Sequence, residues 1–197
     1  GVAVAAAMLL DMVMMSTGLR ESFRELLMAR GFQLRLAPKG TLPFDTDATI
    51  ENVNGITAKL RANPAIMTIS PVLGATIHVP VGGRTFTSAV LGAYPEIQGD
   101  YELVSGRDPA APDEIAVNAE FAQATGIRTG DTMSVATGYD PQLRTYSDSR
   151  EMIVTGRVRF LYGAANQLAT AVNLPTLQDM AGAARRDQAS LFMIKVR

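Results

Sequence analysis

The chain has 197 residues, enough for one large domain or two small ones with a core that supports itself. Its 18 basic and 19 acidic side chains give a formal net charge of −1 and are mixed along the sequence, which argues against a nucleic-acid partner and against an acidic solvating tail. With no Cys and a single His, His78, the chain has no disulfide, thiolate metal site, cysteine nucleophile or pair of catalytic histidines.

The first element is a helix. Residues 2–15, VAVAAAMLLDMVMM, are apolar except for Asp11. Val2, Val4, Met8, Leu9 and Leu10, with the alanines between them, cover every side of a helix, and Val13 and Met14 extend the run. A helix apolar all round belongs either in a large core or in lipid. The run is shorter than the roughly 20 residues that a bilayer span needs. It also starts directly after Gly1 rather than after an initiator Met, so it reads equally as a buried core helix or as the outer part of a longer span. A signal peptide would need a basic leading region and a small-residue cleavage site, and neither is there. Asp11 reads as an interhelical or near-headgroup acid. The helix continues as STGLRESFRELL, with Leu19, Phe23, Leu26 and Leu27 on one face and Arg20, Glu21, Arg24 and Glu25 on the other. Gly18 is its one soft point.

From Gln33 the texture changes. QLRLA (33–37) alternates as a strand, and PKGTLPF (38–44) is a loop. A helix is expected over Thr49–Ala62, capped by Asp45 or Asp47, weakened by Asn54-Gly55 and stopped by Asn63-Pro64. IMTISPV and its continuation to Val79 form a strand. Gly82-Gly83 then turns a hairpin into SAVLGA (88–93). It is not a phosphate loop, because no Lys-Ser/Thr follows and no helix opens there. YELVSGR (101–107) is a strand and DPAAPDE a loop. Asn118 caps a short helix, Ala119–Thr125, stopped by Gly126. Strands follow over Thr132–Thr137 and Glu151–Phe160, with Tyr139–Arg150 between them as a polar loop. Gly106 and Gly130 supply turn conformations, Asp131 bonds its own turn, and Gly156 inside a strand marks a bulge or close packing. A strand over Leu168–Leu174, a helix opened by Pro175 and a closing strand over Leu191–Val196 complete the chain. Strand–helix–strand therefore occurs near each end, with a β-rich insert between. Two such units can make a split βαβ, ferredoxin-like sandwich.

The order of these elements resembles a known family. AIMTISPVLGATI, VLGAYPE, LVSGR (103–107), DEIAVNAEFA (113–122), GIRTGDT (126–132) and MIVTGRV (152–158) occur in the order and at the spacing of the MacB-like periplasmic core domain, found in ABC-transporter permeases related to MacB, LolC/LolE and FtsX. The resemblance covers about the whole chain; each motif alone is weak, and their order is the specific part. It implies an α+β fold in which two βαβ units, residues 33–100 and 165–197, form a porter-like subdomain, with residues 101–164 as a β-rich inserted subdomain. Residues 1–17 become the end of a first transmembrane helix, with Val2, Val4, Met8, Leu9, Leu10, Val13 and Met14 in the membrane. Residues 18–32 become its helical extension, with Gly18, Leu19, Phe23, Leu26 and Leu27 transmitting motion. Gly82, Gly83, Gly106, Gly130 and Asp131 keep structural roles as turns.

The implied function is non-enzymatic: conformational change driven by cytoplasmic ATP hydrolysis passes through the first helix to export or release a lipoprotein, lipid, peptide or drug. The chain lacks GxxxxGK[ST], in keeping with an ATPase on a separate domain or subunit. No cofactor or metal is implied. The implied partners are a cognate ATP-binding subunit, a second permease subunit, a periplasmic adaptor or lipoprotein, and the cytoplasmic membrane of a bacterium, with the domain outside it. Arg20, Arg24 and Arg30 would then lie on the outer side, which the usual inward bias of positive charge does not support. An FtsX-like module that regulates an envelope partner is the alternative, with the loops Pro38–Phe44 and Leu161–Leu168 as docking surfaces. A soluble hydrolase would have to use His78 with Asp45, Asp47 or Asp100 and Ser70 or Ser88. No G-x-S-x-G elbow is present, and His78 alternates with Ile77 and Val79, which puts it on the solvent face.

Overall fold

The computed structural model describes residues 4, 6–8, 10–15, 17–18, 31–41, 48–161 and 166–197. The described residues up to 18 are helical (α1) and exposed on every side; within α1 the Thr17 hydroxyl donates to the Val13 carbonyl at 2.6 Å. The remaining helices are short: α2 (Val53–Arg61), α3 (Ala119–Thr125) and α4 (Leu174–Met180). The strands in chain order are β1 (Leu34–Leu36), β2 (Ile50–Glu51), β3 (Ile66–Val81), β4 (Arg84–Ala93), β5 (Tyr101–Gly106) and β6 (Glu114–Val117). They continue as β7 (Thr132–Asp140), β8 (Thr145–Phe160), β9 (Ala169–Asn173), β10 (Gln188–Ala189) and β11 (Leu191–Val196). The fold is α+β and mostly sheet.

Two long strands organise it. β3 and β8 each run 16 residues. The first half of β3 pairs antiparallel with β11, and β11 pairs antiparallel with β1. β1 and β3 are thus parallel strands joined by α2, with β11 inserted between them: a split βαβ unit. α2 covers one face of this sheet, where Val53, Ile69, Ala189, Phe192 and Ile194 are buried together. Phe32, Val72, Ala93 and Met193 form a second, separate cluster.

The second half of β3 belongs to a barrel. It pairs with β4, β4 with β9, β9 with β6, β6 with β8, β8 with β7, and β7 returns to β3 at the His78↔Ala136 pair. In this circuit His78 faces Thr87 and Ala136, and Ala116 faces Gly156 and Ala171, so both edges of each strand are used. A closed ring of strands leaves no edge, and a small ring is filled by its own side chains. Alternate residues of β3 supply Leu73, Ile77 and Val79 to that filling. Val135, Met152, Val154 and Val172 join them, together with Phe121 from α3 and Leu174 and Leu177 from α4. α4 lies so close to β4 that a Cβ on Gly92 would meet Leu177 Cβ at 2.8 Å.

Three local expectations are corrected. The helix expected from Thr49 starts at Val53, because Ile50–Glu51 is drawn into a ladder with β10. Its cap is Asn52, at φ 59, whose Oδ1 accepts the Gly55 N–H at 3.1 Å, while Asp45 and Asp47 lie outside the described residues. The polar segment 139–150 is mostly strand rather than loop: β7 and β8 pair through Tyr139↔Tyr146 to Asp140↔Thr145. Both of its faces are solvated, so it carries no hydrophobic alternation to announce it. Leu174, expected to end a strand, is instead the first residue of α4.

Candidate functional site: a tethered pole and a far hairpin end

The chain arrives from α1 at Gly31 and ends at Arg197, and these two stretches lie side by side. The Val196 N–H donates to Gln33 Oε1 at 3.0 Å, and the Arg197 N–H donates to the Ala65 carbonyl at 3.0 Å. A Cβ on Gly31 would meet Lys195 Cε at 3.0 Å. The C-terminus of α2, the start of β3, the start of β1 and the end of β11 therefore form one pole. β3 leads away from it for about 50 Å of strand at the usual rise per residue.

At the other end of β3, Gly82 and Gly83 take φ 56 and 75 and turn into β4. The neighbouring β7–β8 hairpin places Tyr139 against Tyr146, ring centroids 4.9 Å apart, and His78 5.6 Å from Tyr139. The Tyr146 and Thr85 hydroxyls are 2.5 Å apart, which ties the two hairpins together. Leu143 at the tip is 72% exposed. His78 is half-buried rather than on open solvent, and its ring Nδ1 meets the Thr87 hydroxyl at 3.2 Å. Burial lowers its pKa and favours the neutral imidazole. The candidate serines are elsewhere: Ser70 is fully buried, and Ser88 donates to the Ala89 carbonyl at 2.9 Å. Asp100 lies at the sheet edge facing Arg35. The structure does not bring these residues together as a triad.

A clamp that sequence reasoning missed joins β5 to β6. Glu114 is 8% exposed and receives both guanidinium nitrogens of Arg107, together with the Ala110 and Ala111 N–H groups at 2.9 and 3.1 Å. The Arg107 hydrogen bonds first, then the two backbone donors, hold its carboxyl down at about 2 against the opposing effect of burial. Asn173 Nδ2 donates to the Ala110 carbonyl at 3.0 Å, so the clamp loop is fixed to the start of α4. The signal was the DPAAPDE loop itself: an Arg and a Glu bracket two prolines, and the backbone N–H groups between them need an acceptor. Asp100, named in the sequence only as a possible partner of His78, is instead a buried carboxyl pushed up to about 6 by burial, against the pull of Arg35 and the Gly99 N–H. Tyr101 beside it is also raised, by burial first and then by the carboxylates of Asp108, Asp100 and Glu96.

The other residues singled out in the sequence fall as follows. Val4, Met8, Leu10, Val13 and Met14 are exposed on α1, and Gly18 is helical and exposed. Val2, Leu9, Leu19, Phe23, Leu26 and Leu27 lie outside the described residues, as do parts of both loops named for docking. Gly106 takes φ 78, where a Cβ would overlap the Thr155 carbonyl oxygen. Gly130 takes φ 97, and Asp131 Oδ2 accepts the Arg128 N–H at 2.8 Å. A Cβ on Gly156 would lie 2.6 Å from the Arg107 carbonyl oxygen, and the β6–β8 register shifts beside it. Among the described residues there is no cluster of side chains able to hold a metal, and no helix long and apolar enough to cross a membrane.

No protein-family profile and no curated protein matches the sequence. Solved structures do match the fold. The periplasmic region of MacB from Actinobacillus actinomycetemcomitans superposes with a TM-score of 0.57 at 13% identity, over 82% of this chain and 72% of that one. The fold is that of a MacB-type periplasmic domain. The extracellular domain of the noncanonic ABC-type transporter YknZ from Gram-positive bacteria gives 0.52 at 10% identity, over 83% of this chain and 84% of that one. At these identities the MacB-type likeness is one of architecture.

Proposed function

We propose that the chain is the extracytoplasmic domain of an ABC-transporter permease subunit. In this reading α1 is the outer part of a membrane helix, and the pole carries the domain at the membrane. ATP hydrolysis on a separate nucleotide-binding domain or subunit moves the helix, and the helix moves the domain to export or release a lipoprotein, lipid, peptide or drug. The observation that carries the reading is the pole: α1 exposes apolar side chains on every described side and feeds a domain whose first and last strands, β1 and β11, are paired neighbours. That arrangement suits a domain held at one end, in which a displacement of the helix becomes a rigid-body displacement of the whole. The partners in this reading are an ATP-binding subunit, a second copy or relative of the permease, and an adaptor or lipoprotein outside the membrane. The split βαβ sheet of β1, β11, α2 and the first half of β3 would be the porter-like part, while the expected insert, 101–164, shares its barrel with β4, β9 and the second half of β3.

The test is to break the helix. A Gly-Gly or Pro insertion between Ser16 and Leu19 in the whole transporter abolishes transport while assembly with the ATPase is retained. Transport that survives the insertion would show that rigid transmission through α1 is wrong.

A further inference from the structure

Among the described residues, the segments at the tethered pole carry charge of one sign. The segments that build it, residues 31–34, 59–67 and 194–197, contain Lys59, Arg61, Lys195 and Arg197 and no Asp or Glu, in a chain whose overall balance is −1. Lys59, Arg61 and Arg197 are exposed. The same segments expose apolar surface: Met67 is 57% and Leu34 53% exposed, and residues 62, 64 and 65 of the Ala-Asn-Pro-Ala turn are exposed. Lys59 and Arg61 have an ordinary role in the last turn of α2, where cations suit the helix dipole. That role does not extend to Lys195 and Arg197 on β11, nor to the exposed Met67 and Leu34. Cations and protruding apolar side chains at one end of a domain are what an anionic bilayer surface selects, because headgroup attraction and interfacial burial then act together.

We propose that this pole is a lipid-facing surface: Lys59, Arg61, Lys195 and Arg197 bind anionic headgroups while Met67 and Leu34 enter the interfacial layer. The contact fixes the tilt of the domain on the membrane, so that it stands on the bilayer instead of swinging about α1. This rests on the reading of α1 as the membrane anchor.

The chain contains no Cys, so Met67→Cys takes a single environment-sensitive label, with Leu143→Cys on the far hairpin as control. The full chain is reconstituted in vesicles of phosphatidylcholine, alone or mixed with phosphatidylglycerol. Flotation reports anchoring, and quenching by aqueous iodide reports docking. The expected result is a chain that floats in both, with the label at 67 shielded only where phosphatidylglycerol is present and the label at 143 quenched throughout. Each cation near an anionic surface is worth about fivefold in occupancy, so Lys59→Gln, Arg61→Gln and Arg197→Gln together lower docking on the order of 100-fold, with the far-UV circular dichroism unchanged. A chain that floats while position 67 is quenched as freely as 143 overturns the docking and leaves the anchor standing. A chain that does not float overturns both. Equal shielding in the two lipids, or shielding in lipid-free buffer, overturns headgroup recognition in favour of a purely apolar or a protein–protein contact.

Discussion

Replacing Asp100 by Asn is expected to stabilise the domain at neutral pH, with the gain shrinking toward pH 5. Asp100 is 9% exposed, and its carboxyl is raised from 3.8 to about 6, by burial first. Arg35 from β1 pulls the other way, and the remaining titratable groups around this corner are Tyr101, Glu96 and Asp108. The folded state therefore holds the proton more tightly than the unfolded chain does. Stability from this group is present at low pH and is lost as pH rises through the folded value of about 6. The gap of about 2 units, at about 1.4 kcal/mol each, amounts to about 3 kcal/mol of destabilisation at neutral pH. The attraction to Arg35 is already inside that net figure.

Asn keeps the shape and removes the charge. Urea unfolding followed by far-UV circular dichroism, with α1 held in mild detergent, gives the free energies. Between about pH 7.5 and pH 5 the natural chain gains roughly 1.5 kcal/mol from Asp100 as its carboxyl takes up a proton, and Asp100→Asn gains none of this. Glu114, the other strongly shifted carboxylate, titrates too low to interfere in that window. A variant less stable than the natural chain at pH 7.5, or one with the same slope between the two pH values, would refute the account of a buried, proton-poor carboxylate.

The other predictions concern the clamp, two turns and the barrel. Glu114→Gln leaves the Ala110 and Ala111 N–H groups with a weaker acceptor and is expected to lower stability by about 1–3 kcal/mol at neutral pH. Because the folded carboxyl sits near 2 against 4.5, stability from Glu114 is present above 4.5 and lost as pH falls toward 2, so the variant's acid unfolding is shallower than the natural chain's. Gly106→Ala and Gly82→Ala both force a side chain to positive φ, at 78 and 56, but only Gly106 is also closed off by a carbonyl oxygen. Gly82→Ala is expected to cost about 1 kcal/mol and Gly106→Ala at least twice that, read as the difference in urea midpoints. Phe121→Ala empties a fully buried site in the barrel filling and is expected to cost about 3–5 kcal/mol by the same measurement.

Elements that depend on neighbouring residues were legible in the sequence. Asn118 and Gly126 announced both ends of α3, and the structure gives the Phe121 N–H to Asn118 Oδ1 at 2.9 Å with Gly126 at φ 77. The alternation of Ile77 and Val79 with His78 separated the two sides of β3: Ile77 and Val79 are buried in the barrel, while His78 on the other side is half-buried. Several Asx residues precede α2, and every one satisfies the same local capping rule. What selects Asn52 is the ladder between β2 and β10, whose Ile50↔Ala189 pair joins residues 139 apart, a pairing that no local pattern contains.

 Barrel closure was invisible for the same reason: it depends on His78 meeting Ala136, and the strand that delivers Ala136 carries too few apolar residues past Thr137 to show its full length. The Arg107–Glu114 clamp was hidden inside a stretch that reads correctly as loop, since its order comes from side-chain hydrogen bonds rather than from any periodicity.

Under the proposed function, β3 is the element that links the pole to the far hairpin end. It begins at Ile66, beside the Ala65 carbonyl that accepts the Arg197 N–H, and ends at Val81, beside the Gly82-Gly83 turn. Its first half is sheet to β11 and its second half is a stave of the barrel, so one strand belongs to both bodies. A Pro in a strand interior normally marks a weak place, and Pro71 lies close to where pairing passes from β11 to β4. The handover leaves no unpaired residue, because Val72 still faces Leu191 while Leu73 already faces Gly92. The Ser190 hydroxyl accepts the Gly74 N–H at 3.0 Å across the same point. A hinge needs a few residues free to absorb a change in backbone angles, and β3 offers none there. In the proposed reading, a displacement at the pole would therefore be carried to the hairpin end by the strand itself, and the insertion beside Gly18 of α1 tests the step before it.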